Sequence, residues 1–122
     1  MALRNLARDP STGAGVGITW TGLLNGDDGQ WFDTLDFADI SIEVGGTFGV
    51  GGTLIIEGSN LATPPATSVA AHTLNDPQGN PLSFTAAKME QVLEMPRWIR
   101  PRVTGGDGTT SLAVNLWARR SR

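Results

Sequence analysis

Glycine and proline punctuate this sequence throughout, and their spacing limits the folds that it can adopt. The 122 residues include sixteen Gly and seven Pro. That is too many for a helical bundle, because glycine costs conformational entropy within a helix and proline interrupts it. Between these residues lie short runs in which apolar and polar side chains alternate, the pattern of half-buried strands. The sequence therefore predicts an all-β fold of short strands joined by tight turns.

Two runs show this alternation most clearly. The run 40–44 places Ile40, Ile42 and Val44 on one face, and the run 111–118 alternates Leu, Val and Leu with Ala, Asn and Trp. Further strands are predicted at 16–21, 53–60, 69–74 and 97–104. About eight short strands with this spacing predict a single domain over residues 16–122, an antiparallel β-sandwich or jelly roll.

The segment 85–95 fits two periodicities. Ala86, Met89 and Leu93 share one face of a helix, whereas Met89, Gln91 and Leu93 also alternate with mostly charged side chains. Because the segments on both sides are predicted strands, a strand is favoured here, and a helix remains the alternative.

Two glycine-rich segments are predicted as the turns of β-hairpins. Residues 45–52 separate the predicted strands at 40–44 and 53–60, and a hairpin is the simplest connection between two strands so close in sequence. Residues 104–110 are also rich in glycine and separate the predicted strands at 97–104 and 111–118. On this interpretation residues 95–120 form one long β-hairpin.

Charge is distributed unevenly along the chain. Residues 9–95 carry eleven Asp and Glu against the single Lys88, a net of −10. Residues 96–122 carry six Arg against Asp107, a net of +5, and two arginines near the amino terminus bring the total to −3. Such a division can promote docking onto an acidic surface or association of identical subunits.

The carboxyl-terminal arginines and tryptophans are the candidate interface. Arginine suits bidentate pairing with carboxylates, and tryptophan is a frequent anchor at protein interfaces. The predicted interface residues of the hairpin are Arg97, Trp98, Arg100, Arg102, Trp117, Arg119 and Arg120. The alternative interpretation is a solvated strand face on which the arginine stems cover Trp98.

Residues 1–15 show little apolar periodicity and are predicted to form a flexible amino-terminal arm. Leu3, Arg4, Leu6 and Arg8 could become ordered by binding to a partner subunit. A frayed terminus without a function is the alternative.

The sequence holds little that indicates catalysis. It has no Cys, so disulfides, thiolate nucleophiles and Cys-ligated zinc are excluded. His72 is the only histidine, and no serine lies in a G-x-S-x-G motif. An ordinary surface histidine is the favoured interpretation, and neither an enzymatic activity nor a cofactor is predicted.

One loop is rich in oxygen ligands. Asp27, Asp28, Asp33 and Asp36 could bind Ca²⁺ weakly, but the EF-hand pattern fails because Gln30 stands where its glycine is required. The spacing leaves calcium binding open and predicts no defined metal site.

Nucleic acid and membrane are disfavoured as partners. The interleaved arginines and Trp98 have the character of a single-strand binding platform, but the net negative charge and the single lysine argue against it. No apolar run approaches the roughly 20 residues of a membrane span, and no signal-peptide pattern is present. A soluble protein made in the cytoplasm is therefore predicted.

Several segments of this sequence resemble a group of small virion proteins of tailed bacteriophages, over roughly residues 38–120. The similar segments are VLEMPRWIRP (92–101), VTGGDGTT (103–110), LWARR (116–120), GTF (46–48), IEGSN (56–60) and DPQGN (76–80).

The resemblance implies a β-sandwich or jelly-roll protein on the exterior of the phage capsid. Such a cement or decoration protein clamps neighbouring subunits of the major capsid protein, often as a homotrimer. One alternative is another structural role, in the tail or at the head–tail connection. Another is a carbohydrate-binding β-sandwich that uses exposed Trp20, Trp31, Trp98 or Trp117 as stacking platforms.

Overall fold

The structure is a computed structural model that describes residues 2–9 and 13–120. This part of the chain contains twelve β-strands, one 3-10 helix (Ser68–Ala70) and no α-helix. In chain order the strands are β1 (Leu3–Arg4), β2 (Ala7–Arg8), β3 (Gly15–Leu23), β4 (Asp28–Gly29), β5 (Phe32–Asp33), β6 (Asp39–Thr47), β7 (Thr53–Ser59), β8 (His72–Thr73), β9 (Ser83–Phe84), β10 (Lys88–Gln91), β11 (Trp98–Gly105) and β12 (Ser111–Arg119). The prediction of an all-β fold is confirmed.

The strands form two sheets that pack as a β-sandwich, as the sequence predicts. The seven-stranded sheet has the order β1-β4-β11-β7-β8, with β5 also beside β11 and β9 beside β7. The five-stranded sheet has the order β10-β6-β12-β3-β2. All pairs are antiparallel except β1 with β4. Six of the twelve strands are only two residues long, too short to show alternation, so the sequence indicates fewer strands than the structure contains.

The core lies between the two sheets and is built from the inward residues of each strand. In β12 the side chains of Leu112, Val114 and Leu116 are buried, while the intervening residues face outward, as expected from the period of two. Trp20 of β3 is the largest fully buried side chain, and its indole N–H donates to the carbonyl of Gln30 (3.0 Å). Burial of these apolar faces is the main favourable contribution to folding.

Both predicted hairpins are wrong. Strands β6 and β7 belong to different sheets, and so do β11 and β12, so the chain crosses between the sheets at residues 48–52 and again at 106–110. Two strands joined by a glycine-rich turn show the same sequence pattern whether they pair as a hairpin or lie in different sheets. In this fold the strands that flank each turn pair with more distant segments.

The two crossings are bonded to each other at one end of the sandwich. The Asp107 carboxylate accepts from the backbone N–H of Val50 (3.0 Å) and from the backbone and hydroxyl of Thr109 (2.9 and 2.7 Å). The Thr110 hydroxyl donates to the carbonyl of Phe48 (2.7 Å). Gly49 has φ +73°, and a Cβ there would lie 2.3 Å from Asp107 Oδ1. Only glycine allows this close approach.

Asp107 should make folding stability sensitive to acid. Hydrogen bonds from Thr109 and from the N–H of Val50 lower the pKa of Asp107 from 3.8 to about 2. Its contribution to stability is therefore complete above the pKa of the unfolded chain and is lost as the pH falls from about 4 to about 2. We expect Asp107→Asn to be less stable at pH 7 and to lose less stability over that interval than the wild type, measured by urea unfolding. Asp36→Asn, which removes an exposed carboxylate at the opposite end of the sandwich, is the control, and its free energy of unfolding at pH 7 should stay within about 0.5 kcal/mol of the wild type.

The segment 85–95 contains a strand and no helix. Residues of β10 pair antiparallel with β6, with Met89 opposite Glu43 and Gln91 opposite Ser41. The favoured prediction is confirmed, although the strand covers only Lys88–Gln91. The strand predicted at 69–74 is likewise shorter, because the 3-10 helix occupies its beginning and only β8 is extended.

The described part of the predicted arm lies against its own domain. Strand β1 pairs with β4 of one sheet and β2 pairs with β3 of the other, so residues 2–9 join both sheets along one side of the sandwich. The buried Asp27 carboxylate accepts from the backbone of Ala2 (3.0 Å), from Arg4 Nε (2.7 Å) and from the backbone of Leu24 (2.9 Å). Burial raises the pKa of Asp27, but these hydrogen bonds outweigh it and hold the pKa below its usual value. Residues 1 and 10–12 of the predicted arm lie outside the described residues.

Candidate interaction surfaces

The predicted interface residues are divided among three places. Because β11 and β12 belong to different sheets, Arg100 and Arg102 lie on the outer face of the seven-stranded sheet, and Trp117 lies on the outer face of the five-stranded sheet. Arg97 and Arg120 lie just outside the strands at one end of the sandwich. The structure therefore offers several separate surfaces in place of one basic hairpin.

Arg100 is part of a buried ionic cluster. It is 3% exposed, and its Nε lies 2.7 Å from Oε2 of Glu57, which is 2% exposed. Arg102 Nε lies 3.2 Å from the other oxygen of Glu57, and Asp28 Oδ2 lies 3.9 Å from Arg100 Nη2. The Trp31 ring covers the Arg100 guanidinium, at 4.3 Å from its centroid. The charge of Arg100 is thus compensated within the chain.

The loop 61–67 covers this cluster. The indole N–H of Trp31 donates to the carbonyl of Pro65 (3.0 Å), and that of Trp98 donates to the carbonyl of Leu61 (3.1 Å). The alternation of β11 correctly places Arg100 on the outward face, but it cannot show that a later loop lies over that face. As a result, Arg100 is buried and not available for contact with a partner, whereas Trp31 remains partly exposed.

Arginines lie beside the turn 32–37 at one end of the sandwich, and the turn itself carries an exposed leucine. The Arg120 guanidinium lies 5.1 Å from the Phe37 ring centroid, and that of Arg8 lies 6.0 Å from the Phe32 ring centroid. Arg97 adjoins the same turn, since its carbonyl accepts from the N–H of Thr34 (3.0 Å). Leu35, at the tip of this turn, is 72% exposed. We call this surface, formed by Arg8, Arg97, Arg120 and Leu35, the basic end.

The sequence pattern did not indicate the basic end. Its residues are separated by up to 112 positions, from Arg8 to Arg120, and a single leucine in a short turn has no periodicity. The remaining predicted arginines are paired within the chain, because Arg4 binds Asp27 and the guanidinium of Arg119 binds Asp39. Leu3 is 61% exposed, whereas Leu6 packs against the core.

The loop carboxylates serve structural roles that keep them apart. Asp27 binds the amino-terminal segment, Asp28 faces Arg100, and Asp33 accepts from the backbone N–H of Leu35 (2.9 Å). Across residues 2–9 and 13–120, no three His, Asp or Glu side chains are grouped so that they could hold a metal ion. No metal site is assigned to this loop.

His72 lies on the surface in β8, beside a shallow groove that also includes Ser59 and Glu94. The Ser59 hydroxyl accepts from the N–H of Leu61 (3.2 Å), and both Glu94 oxygens accept from Asn75 (2.8 Å each). Within the part of the chain that the structure describes, no hydrogen bond joins His72 to either of them. A nucleophilic serine requires such a bond to its general base, so this groove carries no assignment.

Two further findings bear on function. No helix within the described ranges is long and apolar enough to cross a membrane. Compared with models of known protein families and with curated proteins, the chain matches none.

Proposed function

We propose that this protein is a structural component of a tailed-bacteriophage virion. In this proposal it is a cement protein that binds the exterior of the assembled capsid and stabilises it, without enzymatic activity. The segments that resemble small virion proteins support the proposal. The single structural observation that carries it is the basic end, where three exposed arginines lie beside the turn that holds the exposed Leu35, on a chain with a net charge of −3.

The chemistry of the basic end fits a folded protein partner. Arginine binds carboxylates in a planar, bidentate geometry, and Leu35 offers an apolar anchor for a pocket on the partner. Asp33 and Asp36 lie in the same turn, so the surface mixes both signs of charge. Such a pattern favours a specific complementary surface and disfavours general attraction to a polyanion. An acidic patch of the major capsid protein is the proposed partner.

Stabilisation would follow from mass action. A protein that binds only the assembled lattice lowers the free energy of that lattice relative to its free subunits. With many copies on each capsid, weak individual contacts add up. In the proposed homotrimer, each trimer would present three basic ends to neighbouring capsid subunits, so the three contacts would reinforce one another.

The test is occupancy on capsids. We expect the double variant Arg97→Glu/Arg120→Glu to bind heads about tenfold more weakly or worse, because it places carboxylates against an acidic surface. Undecorated heads would be assembled from the major capsid protein of the phage that encodes this chain. Binding would be measured by co-sedimentation, and the wild-type protein would be localised by cryo-EM.

The matched control is Lys88→Glu, which reverses a charge on the edge strand β10, where the lysine side chain is 64% exposed. It should bind like the wild type, and all variants should melt like the wild-type protein. Undiminished occupancy of the folded double variant would contradict the role of the basic end. Failure of the wild-type protein to bind heads would contradict the proposed function itself.

A further inference from the structure

Trp117 lies on the outer face of the five-stranded sheet, near the end of its middle strand. Strand β12 is the middle strand, and Trp117 is paired with Gly17 of β3 on one side and with Ser41 of β6 on the other. The Trp117 side chain is 42% exposed. In contrast, Trp20 is fully buried, and the indole N–H groups of Trp31 and Trp98 are bonded to the loop 61–67.

The residues beside Trp117 leave its ring accessible. Its direct neighbours across the strands are a glycine and a serine, which have little or no side chain to cover the indole. A Cβ at Gly15 would lie 3.0 Å from Trp117 Cζ2, which places the ring over the glycine backbone of β3. Small residues under and beside an aromatic ring leave it open to a flat ligand.

Planar polar groups lie on both sides of the ring. Toward one end of the strands, Asp39 accepts from Gln91 Nε2 (2.7 Å) and from the guanidinium of Arg119, and with Ser41 and Trp117 these residues line a shallow pocket. Toward the other end, Asn115 is paired with Thr19 and Glu43 across the strands.

A second pocket, which Trp117 lines together with Thr19, Glu43 and Asn115, offers hydrogen-bonding groups that are unused among the described residues. The Thr19 hydroxyl donates to Asn115 Oδ1 (3.0 Å), which leaves the Asn115 amide free to donate. No hydrogen bond among the described residues engages the Glu43 carboxylate, which can therefore accept. A donor and an acceptor thus stand side by side, next to the open ring.

This combination suits a sugar better than a protein. Pyranose rings present an apolar C–H face that stacks on an aromatic ring, and their hydroxyls bind planar amide, carboxylate and guanidinium groups. A stable protein interface buries about 800 Å² per partner around an apolar centre. On this face, among the described residues, the exposed large apolar side chains are Trp117 and Met89.

The charge of this face further restricts the class of ligand that it can bind. Among the residues that line the two pockets, Asp9, Glu43 and Asp39 are acidic and Arg119 is basic, so anionic ligands such as acidic polysaccharides or nucleic acid would bind less favourably than neutral ones. Pockets on both sides of the ring give room for sugar units beyond the stacked one. We propose that the Trp117 face binds a neutral or amino-sugar oligosaccharide. This inference is independent of the proposed capsid function, because the basic end is a separate surface.

The experiment measures binding of defined oligosaccharides to the full chain. The probes are hexasaccharides of β-glucose, α-glucose, mannose, xylose and N-acetylglucosamine, a mixed glycan array, and oligogalacturonate as the acidic comparison. Isothermal titration calorimetry should detect at least one neutral or amino-sugar probe and no oligogalacturonate binding. We expect Trp117→Ala to weaken that binding by about tenfold or more, as for a central anchor.

Two variants keep the test decisive. Asn115→Ala removes a polar contact, leaves the Trp117 ring unchanged and should weaken binding several-fold. This variant therefore tests the proposal even if Trp117→Ala fails to fold. Leu35→Ala, a change to an exposed apolar side chain at the basic end, should bind like the wild type. The proposal is overturned if no neutral or amino-sugar probe binds the folded protein, or if binding survives Trp117→Ala and Asn115→Ala. Loss of self-association in Trp117→Ala without any sugar binding would also overturn it, in favour of a contact between copies of the chain.

Discussion

Replacing Glu57 with alanine is expected to lower the free energy of unfolding by about 3–5 kcal/mol, the range for removal of one partner from a buried ion pair. Glu57 accepts from Arg100 through one oxygen and from Arg102 through the other. Without it, the guanidinium of Arg100 would remain enclosed beneath Trp31 and would lose its 2.7 Å carboxylate partner, leaving the Asp28 carboxylate at 3.9 Å. Equilibrium urea unfolding measures the difference.

Two variants test whether the buried charge is the cause. Glu43→Ala removes an exposed glutamate from a strand of the other sheet and should change stability by no more than about 0.5 kcal/mol. Glu57→Leu/Arg100→Met removes both charges and keeps the volume, so it should be more stable than Glu57→Ala. A Glu57→Ala protein within 1 kcal/mol of the wild type would show that the cluster contributes little.

Replacing Trp20 with alanine should cost about 3–5 kcal/mol, the usual cost of truncating a buried large aromatic residue. Trp20 is fully buried between the sheets, and its loss would leave a cavity in close-packed surroundings. The substitution also leaves the carbonyl of Gln30 without the indole donor. Thermal and urea unfolding would report the loss.

Trp117 provides the matched control for this effect. It carries the same side chain on the neighbouring strand of the same sheet, but on the outer face. Trp117→Ala should cost no more than about 1 kcal/mol, since exposed substitutions away from the core are mild. Equal destabilisation by the two alanine variants would contradict the burial argument. Trp20→Phe should fall between them, because it keeps most of the ring and loses the hydrogen bond.

The long strands could be predicted from the sequence because each buries one face and exposes the other. The predicted runs at 40–44 and 111–118 lie within β6 and β12, and the alternation also identified the inward residues correctly. A period of two follows directly from strand geometry, so a strand of seven to nine residues shows it clearly. The strands of two residues could not be found in this way.

The connections between strands could not be predicted, because alternation reports which face of a strand is buried and contains no information about its partner. Residues 45–52 and 104–110 have the composition of hairpin turns, yet both carry the chain from one sheet to the other. Whether each segment forms a hairpin turn or a crossing between the sheets depends on long-range contacts such as that between Asp107 and Val50. No pattern local to either turn encodes that contact.

The candidate surfaces also depend on long-range contacts that local alternation cannot predict. Alternation indicated that Arg100 faces outward, but the cover provided by Trp31 and Pro65 depends on a loop far away in the sequence. The basic end likewise combines Arg8, Arg97 and Arg120, which only the fold brings together. The count of charges along the sequence identified where arginines are concentrated in the chain, but it could not show where they lie on the surface.

The position of β12 has a consequence for how the protein is made. This strand is the middle of the five-stranded sheet, between β3 and β6, yet it is the last strand in the described chain. During translation, residues 15–47 leave the ribosome well before their common partner at 111–119 exists. The facing edges of β3 and β6 are then open to pairing with other nascent chains. Fast completion of synthesis, or a chaperone that holds these two edges, should therefore decide how much soluble protein a cell obtains.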